Sequence, residues 1–332
     1  MKPKVSAIMP VLNGERFIGE AIQSIVDQTY KNVELIVVDD GSTDGTFGRV
    51  EAFRDKLDIR YVRHDSLGGI PRSMNDGVRH ATGDLIAFLD HDDAWFPEFL
   101  ETQTTYLEEH PDVAMVHSDF QTIDVEGRII EDSVAARRGR RRPSGRVFTQ
   151  LFMDSFIVGN SVLIRRECFT RLGLFDESLR WGDYHMWMRI ARHYQIDYVD
   201  RVLTKYRQHP TQSTRNMTAD PPDEPPAALK AIERLLDLYP ELHKELGSRM
   251  IRRRTASLYF DRAYFWYTQD ERSNARICLR RALRLWPTNA RSLMLYVATL
   301  LGPVRSRAAR DLWRRLSGRQ AKTIREVRGI TG

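Results

Sequence analysis

The feature that most constrains the fold is an apolar run followed by a helical pattern, repeated three times in the first 90 residues. The apolar runs cover residues 5–9, 33–38 and 85–89, with a further strand candidate at 59–63. The helical patterns between them cover residues 15–28, 46–56 and 73–81. This alternation predicts right-handed crossovers onto a mostly parallel sheet, so we expect an α/β domain.

Acidic residues follow two of the apolar runs. Asp39 and Asp40 come after the second run, and Asp90, Asp92 and Asp93 come after the last. Ligands of parallel sheets bind outside the carboxyl ends of the strands, so these acids are the first candidates for a functional site. Clustered carboxylates repel one another unless a cation lies among them, and Mg²⁺ or Mn²⁺ binds through carboxylates and phosphate oxygens. The last acidic group therefore predicts a divalent metal site.

Both acidic groups also have a purely structural interpretation. Asp93 could cap a helix that begins at Trp95, and the segment 39–44 also suits a tight turn. As a binding group, an acid at the end of the second run would accept hydrogen bonds from a ribose or a base N–H. Gly41 and Gly45 do not form a GxGxxG pattern, which argues against a dinucleotide-binding dehydrogenase.

Four motifs resemble, in order and spacing, family 2 of the inverting glycosyltransferases, which have the GT-A fold. They are SAIMPVLN at 6–13, VDDGSTDGT at 38–46, TGD at 82–84 leading to LDHDD at 89–93, and GLFDESL at 173–179 leading to GDYHMWMR at 182–189. The resemblance covers residues 4–215. It implies a nucleotide-diphospho-sugar transferase fold with a Rossmann-like, mostly parallel sheet.

The resemblance also implies the nucleotide site. Asp39 is expected to contact the base, and Asp90 to bind the nucleotide together with the metal. The remaining residues expected to line this pocket are Pro10, Val11, Asn13, Glu15 and Arg72. Arg72 is included because Met74 stands where many relatives carry an arginine.

The metal site and the base follow from the same resemblance. Asp90 and Asp92 form the Asp-X-Asp motif, His209 stands where some relatives place a histidine near the metal, and the cofactor is Mn²⁺ or Mg²⁺. Asp183 is expected to be the general base. Gly182 replaces the usual glutamate before it, and His185 stands where a further acid is common.

These residues predict a metal-dependent inverting transfer from a nucleotide-diphosphate sugar, by default a UDP-sugar, to a hydroxyl of a glycan acceptor. The metal takes up charge on the departing diphosphate, and a base removes the proton of the attacking hydroxyl. Direct attack on the opposite face inverts the anomeric centre. The product would belong to a cell-surface polysaccharide or glycoconjugate. Alternative acceptors are a lipid-linked glycan, a polyprenyl phosphate or a protein, and a non-catalytic scaffold that binds nucleotide sugars is a further interpretation.

Net charge divides the chain into two parts. Residues 1–227 carry 28 basic and 36 acidic groups, a net charge of −8, whereas residues 228–332 carry 23 and 9, a net charge of +14. Four prolines and three acids in 219–227 indicate a linker between a transferase domain at 1–218 and a helical region at 228–332. That region contains one tetratricopeptide-like helix pair, with Ala275, Leu279 and Ala282 as packing residues.

The helical region ends in a basic amphipathic pattern. Residues 303–332 carry nine basic and two acidic groups, which predicts peripheral binding to an anionic membrane; the alternative is packing on the preceding helices. No apolar run reaches the roughly 20 residues of a membrane span, and no signal peptide opens the sequence. We therefore expect a cytoplasmic protein, peripheral on the inner face of the cell membrane.

Two further partner classes are disfavoured. The arginine-rich segment 137–146 has six arginines but no interleaved aromatic residue, which argues against nucleic acid as a partner. Cys168 and Cys278 are the only cysteines and form no CxxC or Cys/His pattern, so neither a zinc site nor a disulfide framework is predicted.

Overall fold

A computed structural model describes residues 2–135, 142–212 and 221–300. The chain divides into two compact units, one of residues 1–217 and 230–242 and one of residues 218–229 and 243–332. The domain boundaries at 218 and 227 stay a prediction. The basic pattern at 303–332 and most of the arginine-rich segment lie outside the described residues.

Among its described residues, the first unit contains nine strands and eight helices, the last of which begins at Ala227 and belongs to this unit from residue 230 onward. The strands are β1 (Val5–Val11), β2 (Val33–Asp39), β3 (Asp58–Arg63), β4 (Leu85–Phe88), β5 (Ala94–Trp95), β6 (Val113–Ile123), β7 (Ile129–Glu131), β8 (Val162–Arg165) and β9 (Gln195–Arg207). The helices are α1 (Ile18–Val26), α2 (Thr46–Glu51), α3 (Ile70–His80), α4 (Phe99–Glu109), α5 (Phe148–Met153), α6 (Glu167–Leu172), α7 (Gly182–His193) and α8 (Ala227–Leu238).

All nine strands form one sheet in the order β3-β2-β1-β4-β8-β6-β9-β5, with β7 paired to β6. The first four strands in this order are parallel, as the alternation of the sequence predicts. The later half is mixed, because β8 is antiparallel to β4 and β6 while β6 is parallel to β9. All seven residues of β1 are buried, as expected for a central parallel strand covered on both faces.

The boundaries of two elements differ from the sequence prediction. Helix α3 begins at Ile70, three residues before the predicted start, because Pro71 fits the first helical turn. Asp93 does not cap a helix at Trp95; Ala94 and Trp95 form β5, and α4 begins at Phe99. The structural interpretation of Asp93 as a helix cap is therefore wrong.

A buried carboxylate ties together the amino ends of the central strands. Glu34 accepts hydrogen bonds from Lys4 Nζ at 2.8 Å, Ser6 Oγ at 2.5 Å and the backbone N–H of Thr82 at 2.8 Å. Although burial favours the neutral acid, these hydrogen bonds lower the pKa of Glu34 from 4.5 to about 2. Gly83 completes the packing, since a Cβ there would lie 2.6 Å from the carbonyl oxygen of Lys4.

The second unit is helical and is built on α9 (Leu242–Thr268), α10 (Arg272–Leu285) and α11 (Ala290–Leu300). Its core contains Phe260, Ala263, Cys278, Leu279 and Leu295. Helix α9 is interrupted at Gly247, whose φ of 70° favours glycine. Within the described ranges, no helix combines the length and the apolar character needed to cross a membrane.

A buried arginine orders the proline-rich segment of the second unit. Arg262 Nη1 donates to the carbonyl oxygens of Pro221 at 3.1 Å and Glu224 at 2.7 Å. Only 6% of Arg262 is exposed. The carbonyl oxygens of Pro221 and Glu224 are therefore both hydrogen-bonded by the Arg262 side chain, which satisfies backbone groups that have no partner in a helix or sheet.

We predict that Glu34→Gln lowers the free energy of unfolding by about 1–3 kcal/mol at neutral pH, since it leaves buried donors unsatisfied. The pKa of Glu34 is depressed, so its contribution is present above pH 4.5 and is lost as the pH falls towards about 2. Urea unfolding at several pH values should show the difference between wild type and variant shrinking below pH 4.5. The exposed Glu109→Gln is the control, and an equal loss in both variants would contradict the prediction.

Candidate active site

The candidate site lies where the parallel strands end. The register pairs Pro10 with Val38 and Val11 with Asp39, so the carboxyl ends of β1 and β2 meet at one edge of the sheet. Strand β4 is in register with the other side of β1 and leads directly into Asp90. The order of the strands therefore places the residues that follow all three at the same edge.

Three carboxylates crowd together after β4. One oxygen from each of Asp90, Asp92 and Asp93 lies within 4.8 Å of the others. Burial and the negative charges of Asp92 and Asp183 raise the pKa of Asp90 to about 7. Burial and the charges of Asp92 and Asp90 raise the pKa of Asp93 well above its usual value. The cluster is thus short of positive charge, and hard oxygen ligands in this number fit Mg²⁺ or Mn²⁺.

Asp93 is the structural member of the cluster. Its Oδ1 accepts the backbone N–H of Arg207 at 2.7 Å, and its Oδ2 accepts Asn160 Nδ2 at 2.5 Å. Both oxygens are engaged and 2% of the residue is exposed. Asp90 and Asp92, which are partly exposed, are the members that could hold a cation.

The structure brings His209 to the cluster. Its Nε2 lies 2.7 Å from Asp92 Oδ2, and its Nδ1 lies 3.0 Å from Thr211 Oγ1. Although burial favours the neutral acid, the hydrogen bond with His209 lowers the pKa of Asp92. His209 therefore stands next to a candidate metal ligand, as the resemblance implies, and a neutral imidazole there could serve as a further ligand.

A buried arginine fixes the backbone below these acids. Arg207 donates from Nε to the carbonyl oxygen of Asp92 at 2.8 Å and from Nη1 to that of Asp124 at 3.1 Å. Its Nη2 pairs with Glu20 at 2.5 Å, and 1% of its side chain is exposed. The guanidinium also lies 4.9 Å from the centre of the Phe17 ring. Arg207 positions the loop that carries the three carboxylates and does not present its charge to solvent.

Asp183 lies in the first turn of α7 and accepts the N–H of Tyr184 at 2.7 Å. Burial raises the pKa of Asp183, and its charge in turn acts on Asp90. The predicted base and the predicted metal site therefore belong to one electrostatic environment.

A Cβ on Gly182 would lie 3.3 Å from Pro71 Cγ, so a larger residue here would press on the start of α3. Trp187 is fully buried in the core.

Asp39 is sealed by its neighbours. Its Oδ1 accepts the N–H of Ser42 at 2.7 Å, and its Oδ2 is bonded by the hydroxyl of Tyr61 and by Arg63 Nη1, the latter at 3.0 Å. None of its side chain is exposed. Although burial favours the neutral acid, the hydrogen bonds from Ser42 and Tyr61 and the charge of Arg63 lower the pKa of Asp39. The base of a bound nucleotide could form a hydrogen bond with this carboxylate only if Tyr61 or Arg63 moved.

Asn13 and Glu15 connect the loop after β1 to the loop after β2. Asn13, with φ of 51°, donates its N–H to Ser42 Oγ at 2.8 Å and accepts that of Thr43 at 2.9 Å. Glu15 Oε2 accepts the N–H of Gly45 at 3.0 Å, just before α2. Both also line a cavity of about 590 Å³ with Arg16, Gly19, Asp44 and Arg49. Pro10 and Val11 are buried below them.

Arg72 is the one predicted nucleotide residue on α3. Its side chain lies across Gly68, where a Cβ would come 2.2 Å from Arg72 Cδ. Among the residues described, it forms no hydrogen bond or ion pair, so its charge is available to an anionic ligand.

Comparisons with known proteins identify the family and the fold of this chain. The sequence model of "Glycosyl transferase family 2" matches residues 6–173. An uncharacterised glycosyltransferase of Rickettsia prowazekii is 32% identical over 271 residues, which cover 79% of this chain and 80% of the relative. Against four further rickettsial relatives, the match spans between 31% and 66% of their length.

Two solved structures share the fold. TarS of S. aureus (residues 1–349), in complex with UDP-GlcNAc, superposes with a TM-score of 0.62 at 18% identity, covering 89% of each chain. A mannosyltransferase of Pyrobaculum calidifontis, in complex with GDP-Man and Mn²⁺, gives 0.59 at 21% identity, covering 96% of this chain and 85% of the other. The predicted GT-A fold followed by a helical region is thereby confirmed.

We predict that Asp92→Asn weakens Mn²⁺ binding by about tenfold or more, because it removes a charged oxygen ligand from the cluster. Isothermal titration of Mn²⁺ into the purified chain measures this directly. Asp55→Asn, an exposed acid on the first unit, is the control and should bind Mn²⁺ as the wild type does. Equal affinity of the wild type and Asp92→Asn would contradict the metal assignment.

Proposed function

This chain belongs to glycosyl transferase family 2, and from that premise we propose that it is a metal-dependent inverting transferase using a nucleotide-diphosphate sugar. The observation that supports the proposal most directly is the cluster of carboxylates from Asp90, Asp92 and Asp93 after β4. An acid cluster that could hold a cation and a separate carboxylate with a raised pKa lie in one site.

The cation would be held by Asp90 and Asp92, with His209 beside them. When bound, Mn²⁺ or Mg²⁺ supplies positive charge for the departing diphosphate. Asp183 accepts the proton of the acceptor hydroxyl, and burial favours this role because it raises the pKa of the carboxylate towards neutrality. With one base and no second nucleophile in the scheme, the anomeric centre is inverted.

The donor we propose is a UDP-sugar. TarS binds UDP-GlcNAc and the P. calidifontis mannosyltransferase binds GDP-Man, so nucleotide sugars are the common class among these structures. Arg72, whose guanidinium has no partner among the described residues, would bind phosphate oxygens of the donor. The loops that carry Asn13 and Glu15 would form the wall of the nucleotide pocket.

The acceptor we propose is a hydroxyl of a glycan or lipid-linked glycan in cell-surface polysaccharide or glycoconjugate synthesis. The charge of +14 on residues 228–332 supports attachment to an anionic membrane surface, where such acceptors are found. The basic pattern of residues 303–332 is the segment proposed for this contact. A cytoplasmic location on the inner face of the membrane stays a prediction from the sequence.

The proposal predicts that Asp183→Asn lowers kcat by about 100-fold or more, the usual contribution of a general base. Donor and Mn²⁺ should still bind, because Asp183 is not among the residues proposed to hold either; a moderate change in Mn²⁺ affinity is expected, since the charge of Asp183 acts on Asp90. The measurement is the initial rate of sugar transfer, or of donor hydrolysis in the absence of acceptor, across a panel of UDP-, dTDP- and GDP-sugars with Mn²⁺.

Asp55→Asn is again the matched control, since it removes an exposed carboxylate from the same unit. A normal rate for Asp183→Asn would show that the base is another residue. Retention of the anomeric configuration in the product, observed by NMR, would contradict the inverting mechanism even if Asp183 proved essential.

A further inference from the structure

A buried histidine lies between two carboxylates at the end of β3, away from the metal cluster. His64 Nδ1 is 2.8 Å from Asp40 Oδ1, and His64 Nε2 is 2.8 Å from Asp76 Oδ2. Only 6% of the His64 side chain is exposed. Each ring nitrogen thus lies at hydrogen-bond distance from a carboxylate oxygen, so the side chain of His64 ties Asp40 to Asp76.

Asp40 uses the same carboxylate to hold the loop before α3. It accepts the N–H of Gly68 at 2.9 Å and the N–H of Gly69 at 2.8 Å. Gly69 has φ of 83°, which glycine adopts without strain. The conformation of this loop therefore depends on a carboxylate whose own position is fixed by His64.

The loop in turn supports two residues of the proposed reaction. The side chain of Arg72 lies against Gly68, and Pro71 lies against Gly182, the residue before Asp183. A displacement of residues 68–71 would thus move the arginine proposed for the donor and the segment that carries the proposed base.

We propose that Asp40, His64 and Asp76 form a latch that positions the loop at 65–69 and the start of α3 for donor binding. His64 is a positioning residue in this assignment, and the part concerning the donor rests on the proposed function. The groups that face the ring are Asp40 after β2 and Asp76 on α3, with Arg79 bonded to Asp76 at 2.5 Å. The backbone N–H of His64 donates to the carbonyl of Asp39 at 2.8 Å.

The latch makes donor binding depend on His64. Without the imidazole, Asp40 loses the contact at 2.8 Å that fixes its carboxylate, and the loop that it holds at Gly68 and Gly69 loosens. The KM for the donor then rises, because Arg72 lies against this loop. Mn²⁺ affinity stays unchanged, because Asp40, His64 and Asp76 are not among the proposed metal ligands.

Asp76→Asn separates the latch from a general loss of stability. The amide oxygen of Asn at this position can still accept a hydrogen bond from the ring, whereas Asp76→Ala removes the acceptor. We expect the donor KM to rise about fivefold or more in Asp76→Ala and in His64→Gln, and to rise less in Asp76→Asn.

Asp65→Asn is the control, because it removes an exposed acid from the same loop and should behave as the wild type does. Identical donor KM values for the wild type and a folded His64→Gln would overturn the latch. Absence of transfer, hydrolysis and nucleotide binding in the wild type would instead overturn the proposed function.

Hydrogen exchange of the Gly68 and Gly69 amides tests the latch without any donor. After correction for intrinsic exchange, the protection that both amides have in the wild type should be lost in His64→Gln. Melting temperatures of the variants report whether they are folded. Equal protection of these two amides in wild type and a folded His64→Gln would overturn the proposal independently of activity.

Discussion

Mutual repulsion among the carboxylates after β4 is the constraint on which the rest of the site depends. One carboxylate oxygen of each of Asp90, Asp92 and Asp93 lies within 4.8 Å of the others. The acids cannot move apart because β4, which precedes them, is buried and closely packed. The fold offsets the repulsion locally: Asn160 and Arg207 donate to Asp93, and His209 lies beside Asp92. Among the residues described, the side chain of Asp90 has no such partner, and burial together with the repulsion that it experiences raises its pKa. A divalent cation would neutralise this excess negative charge.

The parallel half of the sheet could be predicted from the sequence, whereas the mixed half could not. Strands β1, β2 and β4 are mostly apolar and buried, and a polar residue follows each within two positions, so the local pattern identifies them. Strand β5 has only two residues, too few to carry any periodicity, and it pairs with β9 more than one hundred residues later. The strand β5 forms because it pairs with β9, and this long-range pairing cannot be read from the local sequence.

The same distinction applies to the candidate site. The apolar run before them identifies Asp90 and Asp92, whereas only the resemblance to family 2 identifies Asp183, whose charge acts on Asp90 in the structure. The residues that orient them are invisible in the sequence: Arg207 reaches Glu20, and Asn75 on α3 holds the backbone of Phe175, in both cases across at least 100 residues. His64 belongs to no sequence motif, and its role can be inferred only from its contacts with Asp40 and Asp76 in the structure.

The central position of β1 has a consequence for the order in which the chain can fold during synthesis. Strand β1 is made first, yet one of its two edges stays unpaired until β4 has been made, and β4 in turn waits for β8. The Glu34 network likewise requires Lys4, Ser6 and Thr82 together. An apolar strand with an open edge is prone to aggregate, so a ribosome that pauses before residue 165 would expose the chain at its most vulnerable stage.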